Sequence, residues 1–551
     1  MTDLPRDADP AYAADLVLYG GTVRTLGGAR TRATALAARG GRIVEVGDDR
    51  AALALAGPRT DVRDLRGGVA VPGFIETHNH PIMFGMTLNA QVDAGTPPND
   101  AIGDIVERVR AAVRDTPPGE WVQGYRYDDT LLREGRHPTR ADLDPVSPDH
   151  PVLLKHVSGH LAVANSAALR LMGVDRDTPD PPGGRYGRDD RGELTGVLAE
   201  TATFGAQEVI GSPGPEELEG ALERAGAAFL EHGVTTVHDT GIGMYGGAAD
   251  IGAYRSVIGD GRFRTRVYGF LFHRVFRELT SGRLSPLEAA VHGLGDDRFR
   301  LGSVKIIADG SIQGLTGALA ADYHCAPGER GILLHDQDEL NRMVGALHEA
   351  GWHIGIHGNG DAGIQAILDA YAHVGMGRGE DRRHRVEHCQ AVRDDQLDAI
   401  AALGVHPSFF VKHVYYWGDR HRDLFLGPER GARISPLAAA RRRGIPFGLH
   451  SDCPITPIPP LEGIRAAVTR RTRDGRVLGA EQAVDGEAAL RGYTSDAARL
   501  GFEEDRKGTL EPGKYADIAV LSADPTEESA DLDAVRVDAT VIGGEVVYSR
   551  T

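Results

Sequence analysis

Residues 212–241, SPGPEELEGALERAGAAFLEHGVTTVHDTG, decide the fold. Leu218, Leu222, Ala225 and Phe229 recur at helical spacing and fall on one face, with Ser212 placed to cap the helix and Gly233 to end it. The run that follows, GVTTVHDTG, is rich in β-branched residues and reads as a buried strand. A helix feeding a buried strand is half of a β/α unit, and the pattern recurs. Leu340, Met343, Val344 and Leu347 make an apolar stripe, Gly351 closes it, and WHIGIHGNGD follows. GVHPSFF starts at Gly404 and GIPFGLHSD at Gly444, each behind another helical pattern. RTRVYGFL, VKIIADG and HRVEHCQ bring the candidate strands of this block to seven, and the earlier VAVPGFIETHNH supplies an eighth. Eight such strands with helices between them predict an α/β fold, a closed (β/α)8 barrel of the TIM type.

The stretch from His80 to Gly233 is too long for one crossover, so an insertion is expected after the first barrel strand, at about residues 85–200. Its Pro/Gly-rich parts, GTPPND at 95–100 and TPDPPGGRYGRDDRGELTG from Thr178, read as loops. They either cover the barrel mouth or serve structure alone. Both chain ends look like strands: ADLVLYGGTVRTL at the start, YADIAVLSADP and VDATVIGGEVVYS at the finish. The expected division is a barrel over 72–489 and a small β-sandwich domain built from 1–71 and 490–551.

Lys plus Arg number 61 against 79 Asp plus Glu, a net charge of −18 that repels the phosphates on which nucleic-acid affinity depends. Nucleic acid is not an expected partner. Cys325, Cys389 and Cys453 are too few and too scattered for a disulfide framework. The first residues, MTDLPRDADPAYAADLVLYGG, carry no basic segment followed by an apolar run, and no later run reaches the roughly 18 apolar residues of a membrane span. A cytoplasmic location without membrane attachment is expected, as is a homo-oligomer, a dimer.

His78 and His80, in ETHNHP, stand at i and i+2 at the end of a candidate strand, so both side chains emerge on one face and can grip one metal ion. A lone His-x-His is a weak signal. It gains weight because Lys305, His357, His388 and Asp452 fall at the C-terminal ends of other candidate strands, where barrel enzymes keep their chemistry. Lys305 lies among Val304, Ile306 and Ile307, where an ammonium needs a partner or a modification. Cys389 and Cys453 each follow a candidate ligand and are read as small packing residues on the opposite face.

The strings PGFIETHNHP, VKIIADGS, HGNGDAGI, RVEHCQ, HSDCPI and GTLEPGKYADIAVLSADP resemble the amidohydrolase superfamily, in particular its long branch that includes N-substituted formamide deformylases. SGHLAVANSAAL and RGELTGVLAE extend the resemblance into the insertion. It implies a metal-dependent hydrolase acting on a C–N bond of a small molecule: an amide, formamide, cyclic amide or carbamate. It implies one or two divalent ions, zinc being the expected metal, with His78 and His80 as ligands of the more buried one and His357 and His388 of the more exposed one. Lys305, if carboxylated, would bridge the two. Asp452 would bind metal and shuttle the proton, while His160 would contact substrate. Two departures stand out: Glu76 occupies a position where the family commonly has Asp, and Leu315 replaces a commonly polar residue, which implies a more apolar pocket. The same site could instead serve deamination, decarboxylation or isomerisation. A regulatory or binding protein on a retired barrel is the contrasting expectation, but a retired site has no physical need for so many metal-type ligands.

Overall fold

The computed structural model describes residues 12–550 apart from 29, 280–293, 378 and 380, so the first part of the N-terminal segment read above lies outside the described residues. Eight parallel strands form one sheet in sequential order: β1 (Phe74–Asn79), β2 (Val234–Ile242), β3 (Arg266–Phe272), β4 (Phe299–Ile307), β5 (His353–Gly358), β6 (Arg385–His388), β7 (His406–Phe409) and β8 (Gly448–Leu449). The first and last strands meet: Thr77 Oγ1 donates to Leu449 O (3.1 Å), and just beyond the strands Asp452 N donates to His78 O and His80 N to Cys453 O (3.2 and 3.1 Å). Among the described residues no helix is long and apolar enough to cross a membrane.

Each strand is buried on both faces because helices cover the outside while side chains fill the inside. The Pro215–Glu231 helix presents Leu218, Leu222, Ala225 and Phe229 to the core, as their spacing requires. Its N-cap is Gly214 with Pro215 at the first helical position, so Ser212 stands outside the helix. Gly233 has φ +74°, the left-handed turn that lets the chain leave the helix and enter β2 directly. Inside the barrel Lys305 pairs in register with Gly355. A Cβ on Gly355 would lie 2.7 Å from Phe270 and 2.8 Å from the Glu387 carboxylate, so glycine leaves room for that acid in the barrel interior.

VAVPGFIETHNH is two strands rather than one. Val69–Pro72 pairs with Thr22–Arg24 and with Ile518–Leu521, whereas only Phe74–Asn79 enters the barrel. The first of these joins a six-stranded sheet made from both chain ends, ordered Glu545–Ser549, Val537–Ile542, Ile518–Leu521, Val69–Pro72, Thr22–Arg24, Arg32–Ala33. A four-stranded sheet containing Ala14–Tyr19 packs on it, with Leu16, Leu18, Val23, Leu36, Ile518 and Val541 in a common core. This sandwich is tied to β3 by a buried ion pair, Arg266 Nε to Asp517 Oδ2 at 2.7 Å.

Between β1 and β2 the chain builds a further six-stranded mixed sheet with its own apolar core around Ile105, Val109, Val122, Leu154 and Val163. Residues 95–100 are loop, as expected. The Thr178 segment departs from the loop expectation, because Gly184–Arg188 and Leu194–Glu200 pair antiparallel as a hairpin. Gly192, with φ +78°, sits in the turn between the two strands.

Candidate metal centre

His78, His80, Lys305, His357, His388 and Asp452 line one pocket at the C-terminal mouth of the barrel, together with His160 from the insertion. The parallel topology dictates this, since every strand then ends at the same rim. His78 Nε2 lies 3.6 Å and His80 Nε2 3.3 Å from Asp452 Oδ1. Three ligand atoms about 2.0–2.1 Å from one tetrahedral ion would be separated by roughly 3.3–3.4 Å. The Lys305 ammonium is 3.4 Å from His78 Nε2. A second trio, His78, His388 and His450, also brings one ligand atom from each residue within 4.8 Å of the others. His357 belongs to neither trio. Its Nε2 faces Gly310 O at 3.1 Å, and its ring centroid sits 4.4 Å from that of His388 and 4.9 Å from that of His160.

His78, His357 and His388 are held well below the usual histidine range, first by desolvation and then by the neighbouring histidines and Lys305, so these three rings are neutral. A neutral ring has a lone pair to offer a metal. Which nitrogen offers it is fixed from behind at His78: Nδ1 donates to Glu387 Oε2 at 2.7 Å, leaving Nε2 to face Asp452. Glu387 is in turn gripped by the fully buried Arg385, whose Nε and Nη2 lie 2.8 and 2.9 Å from its two oxygens. Burial lowers the Lys305 amine to about 8. Glu76, pushed up to about 7 by burial, accepts from Ser451 N and Oγ at 2.9 and 3.0 Å and so braces the turn that carries Asp452. Asp309, also raised to about 7 by burial, collects the backbone N–H groups of Ala318, Asn359 and Gly360 and so fixes the loops after β4 and β5.

Three contributors escaped the sequence reading. His450 stacks on His78 with centroids 5.0 Å apart, its Nδ1 2.8 Å from Ser408 Oγ. It stands two residues before Asp452, a spacing that could have marked it. Glu200 accepts from His160 Nδ1 at 2.9 Å and nothing local in RGELTGVLAE distinguishes it. Lys155 lines the same pocket from the strand Val152–His156. Leu315 lies elsewhere: it lines a separate cavity with His137, Arg185 and Phe425, so it does not set the polarity of the metal pocket. Its positive φ, 55°, turns the chain away after Gly314. All three cysteines are free, with Cys389 and Cys453 buried as packing residues.

A family model described as the amidohydrolase family matches residues 61–548. The chain is 29% identical over 549 residues to an N-substituted formamide deformylase of Arthrobacter pascens, covering 98% of this chain and 99% of the relative. It is 31% identical to the protein LONG AFTER FAR-RED 3 of Arabidopsis thaliana, covering 97% of this chain and 92% of that protein. Among solved structures, an uncharacterized metal-dependent hydrolase from Pyrococcus horikoshii OT3 superposes with a TM-score of 0.73 at 25% identity, covering 94% of this chain and 99% of that one. Its counterpart from Pyrococcus furiosus gives 0.71 at 26%, covering 93% and 100%.

Proposed function

The chain belongs to the amidohydrolase family, and from that premise we propose that it is a metal-dependent hydrolase cleaving a C–N bond in a small molecule, with an N-substituted formamide or another amide as substrate. The observation that carries the proposal is the meeting of His78 Nε2, His80 Nε2 and Asp452 Oδ1 at separations of 3.3 and 3.6 Å. The donor set fits a divalent cation such as zinc. Asp452 Oδ1 is buried without a hydrogen-bond donor and His78 offers a neutral nitrogen, an arrangement that is costly unless something positive sits between them.

His78, His80 and Asp452 would hold a first ion, and His357 with His388 a second. A Lys305 amine lowered to about 8 has a larger neutral fraction near pH 7 than an ordinary lysine, and only that form can add to carbon dioxide with release of a proton; the resulting carbamate would put an anion, able to help hold metal, where a buried cation stood. When bound, the metal supplies Lewis acidity, polarising a carbonyl and lowering the pKa of water towards about 7. Asp452 would take the proton of the attacking water and pass it to the leaving nitrogen. His160, braced by Glu200, presents its ring towards His357 across the mouth and is assigned to contact the substrate. The three free thiols fit a reducing compartment, the cytoplasm.

The test combines metal analysis with a screen of N-substituted formamides and acyl amides. His78→Ala combined with His80→Ala should strip the ion and abolish turnover. A fully metallated and active double variant would overturn the assignment.

A further inference from the structure

Lys155 is a cation in the pocket wall with no acid to answer it. It shares one face of the strand Val152–His156 with Leu153, two residues earlier, and both line the pocket that holds His78 and Asp452. Its ammonium donates to Gln207 Oε1 at 3.1 Å and lies 5.4 and 5.8 Å from the ring centroids of Tyr125 and Tyr245. Among the described residues no carboxylate lies within 4.0 Å of it, and no acid offsets the burial that lowers its amine to about 8. Both tyrosines stay neutral, since burial raises their phenols, Tyr125 to about 12. The other cationic groups of this pocket are accounted for: His160 by Glu200, and Lys305 by the site it belongs to.

An ammonium has three donors and this one spends a single hydrogen bond. Holding it in a wall that also contains Met83, Leu153, Phe204, Met244 and Ile455 disfavours the free protein, and an anion brought in by a ligand would reverse that. One point charge among apolar side chains matches a monoanion, since a phosphate dianion would leave a second charge unanswered.

We propose that Lys155 recognises a carboxylate on the substrate, so that the compounds hydrolysed here are N-acyl or N-formyl amides that also carry a free acid. This rests on the hydrolytic reading above for the reaction, but not for the binding. The apolar wall takes the substrate body, and the acid end is held by the two spare N–H groups of Lys155 while the amide faces Asp452.

Binding of two non-hydrolysable probes to the metal-loaded protein tests it: N-methanesulfonyl-phenylalanine and its carboxamide, which differ in charge but hardly in shape. The wild type should bind the acid about ten- to a hundredfold more tightly, the range for hydrogen bonds to charged groups. Lys155→Met should bring the ratio close to one, and Lys155→Arg should retain a preference. Lys155→Met should also raise the melting temperature of the ligand-free protein, whereas a purely structural lysine would lower it on removal. Should that variant be insoluble, Lys155→Gln carries the same comparison. A wild type without acid preference, including one that binds neither probe, overturns the proposal. So does a preference that survives in Lys155→Met, because the carboxylate would then sit on the metal. If the acid preference depends on Lys155 but no amide is hydrolysed, the hydrolytic reading fails and this one stands. Equal kcat/KM for N-formyl-phenylalanine and its carboxamide would sink this one alone.

Discussion

Glu387→Gln probes the link between the barrel interior and the metal centre, because this carboxylate is at once the acceptor behind His78 and the counter-charge of the buried Arg385. One oxygen receives His78 Nδ1–H at 2.7 Å, and both are approached by Arg385 at 2.8 and 2.9 Å. A glutamine would turn its NH2 group towards one of these donors. Placed at the Oε1 position, it meets Arg385 Nε donor to donor and leaves the fully buried guanidinium with the remaining amide oxygen, His238 Nδ1 and Thr77 O as acceptors but no counter-charge. Facing His78, it forces the ring to move its proton to Nε2 and removes the lone pair that points at Asp452. Breaking a buried ion pair from one side costs about 3–5 kcal/mol. With an unfolding entropy of about 2.1 cal/mol/K per residue, 551 residues melting as one unit give about 1.2 kcal/mol/K, so the expected drop in Tm is about 3–4 °C. Loss of such a support behind a ligand also weakens metal binding by about 10- to 100-fold. Calorimetry on metal-stripped wild type and variant reads the first effect, and competition against a chromophoric chelator reads the second. A variant with wild-type Tm and wild-type metal affinity would refute the reasoning at both points.

Asp452→Asn should keep most of the metal and lose about 10² to 10⁴ in kcat with little change in KM, since the amide cannot accept the proton; near-normal kcat with metal bound would move the proton shuttle to another group. At His160 burial disfavours the imidazolium, but the Glu200 carboxylate outweighs it and the folded-state pKa lies above 6.5. That contribution to stability is therefore fully present below about 6.5 and fades as pH rises through the raised value. Glu200→Gln should move the NMR titration of His160 to lower pH and flatten this part of the stability profile, while an unshifted titration would show that Glu200 is not the cause. Asp517→Ala removes the buried partner of Arg266 and should cost about 3–5 kcal/mol, near the lower end because Asp297 still lies 3.0 Å from the same guanidinium. Its Tm should fall with metal content unchanged; a matching loss of metal would mean that the sandwich is coupled to the site.

The barrel was legible because β2, β5, β7 and β8 are each an apolar run behind a helical pattern ended by glycine, a local signal that repeats. His78, His80, Lys305, His357, His388 and Asp452 could be gathered because a parallel barrel sends every strand end to one rim, so linear position converts to place. What the sequence hid were choices made between distant segments. Val69–Pro72 and Phe74–Asn79 are separated by a single residue, and nothing local says that one pairs with Ile518–Leu521 and the other with β2. Glu200 and Lys155 belong to an insertion whose approach to the barrel mouth is a matter of packing, and their partners, His160 and Gln207, are 40 and 52 residues away. Leu315 was assigned to the pocket by the resemblance, as a residue at a commonly polar position, yet the turn at its positive φ carries it elsewhere.

Backbone conformation is the other hidden element, and it accounts for the aim of the site. His388, Cys389, Asp452 and Glu200 have φ of 69°, 50°, 51° and 50°, a region in which side chains other than glycine cost of order 1–3 kcal/mol each. An extended strand continued through these positions would alternate its side chains between barrel axis and helical layer. A left-handed residue at the strand end breaks that alternation and lets the side chain lean over the mouth instead. The surrounding bonds hold each one there: Cys389 N to Gly358 O and Phe410 N to His388 O around the first pair, Asp452 N to His78 O and Ile455 N to Asp452 O around the aspartate, and Glu200 N to His160 O at the insertion. These bonds tie the pocket segments to one another or to β7, or close the turn itself. The strain therefore falls where the pocket residues converge and is offset by the ordered barrel beneath, which is how a rigid fold can hold side chains in positions that its own strand geometry would not give them.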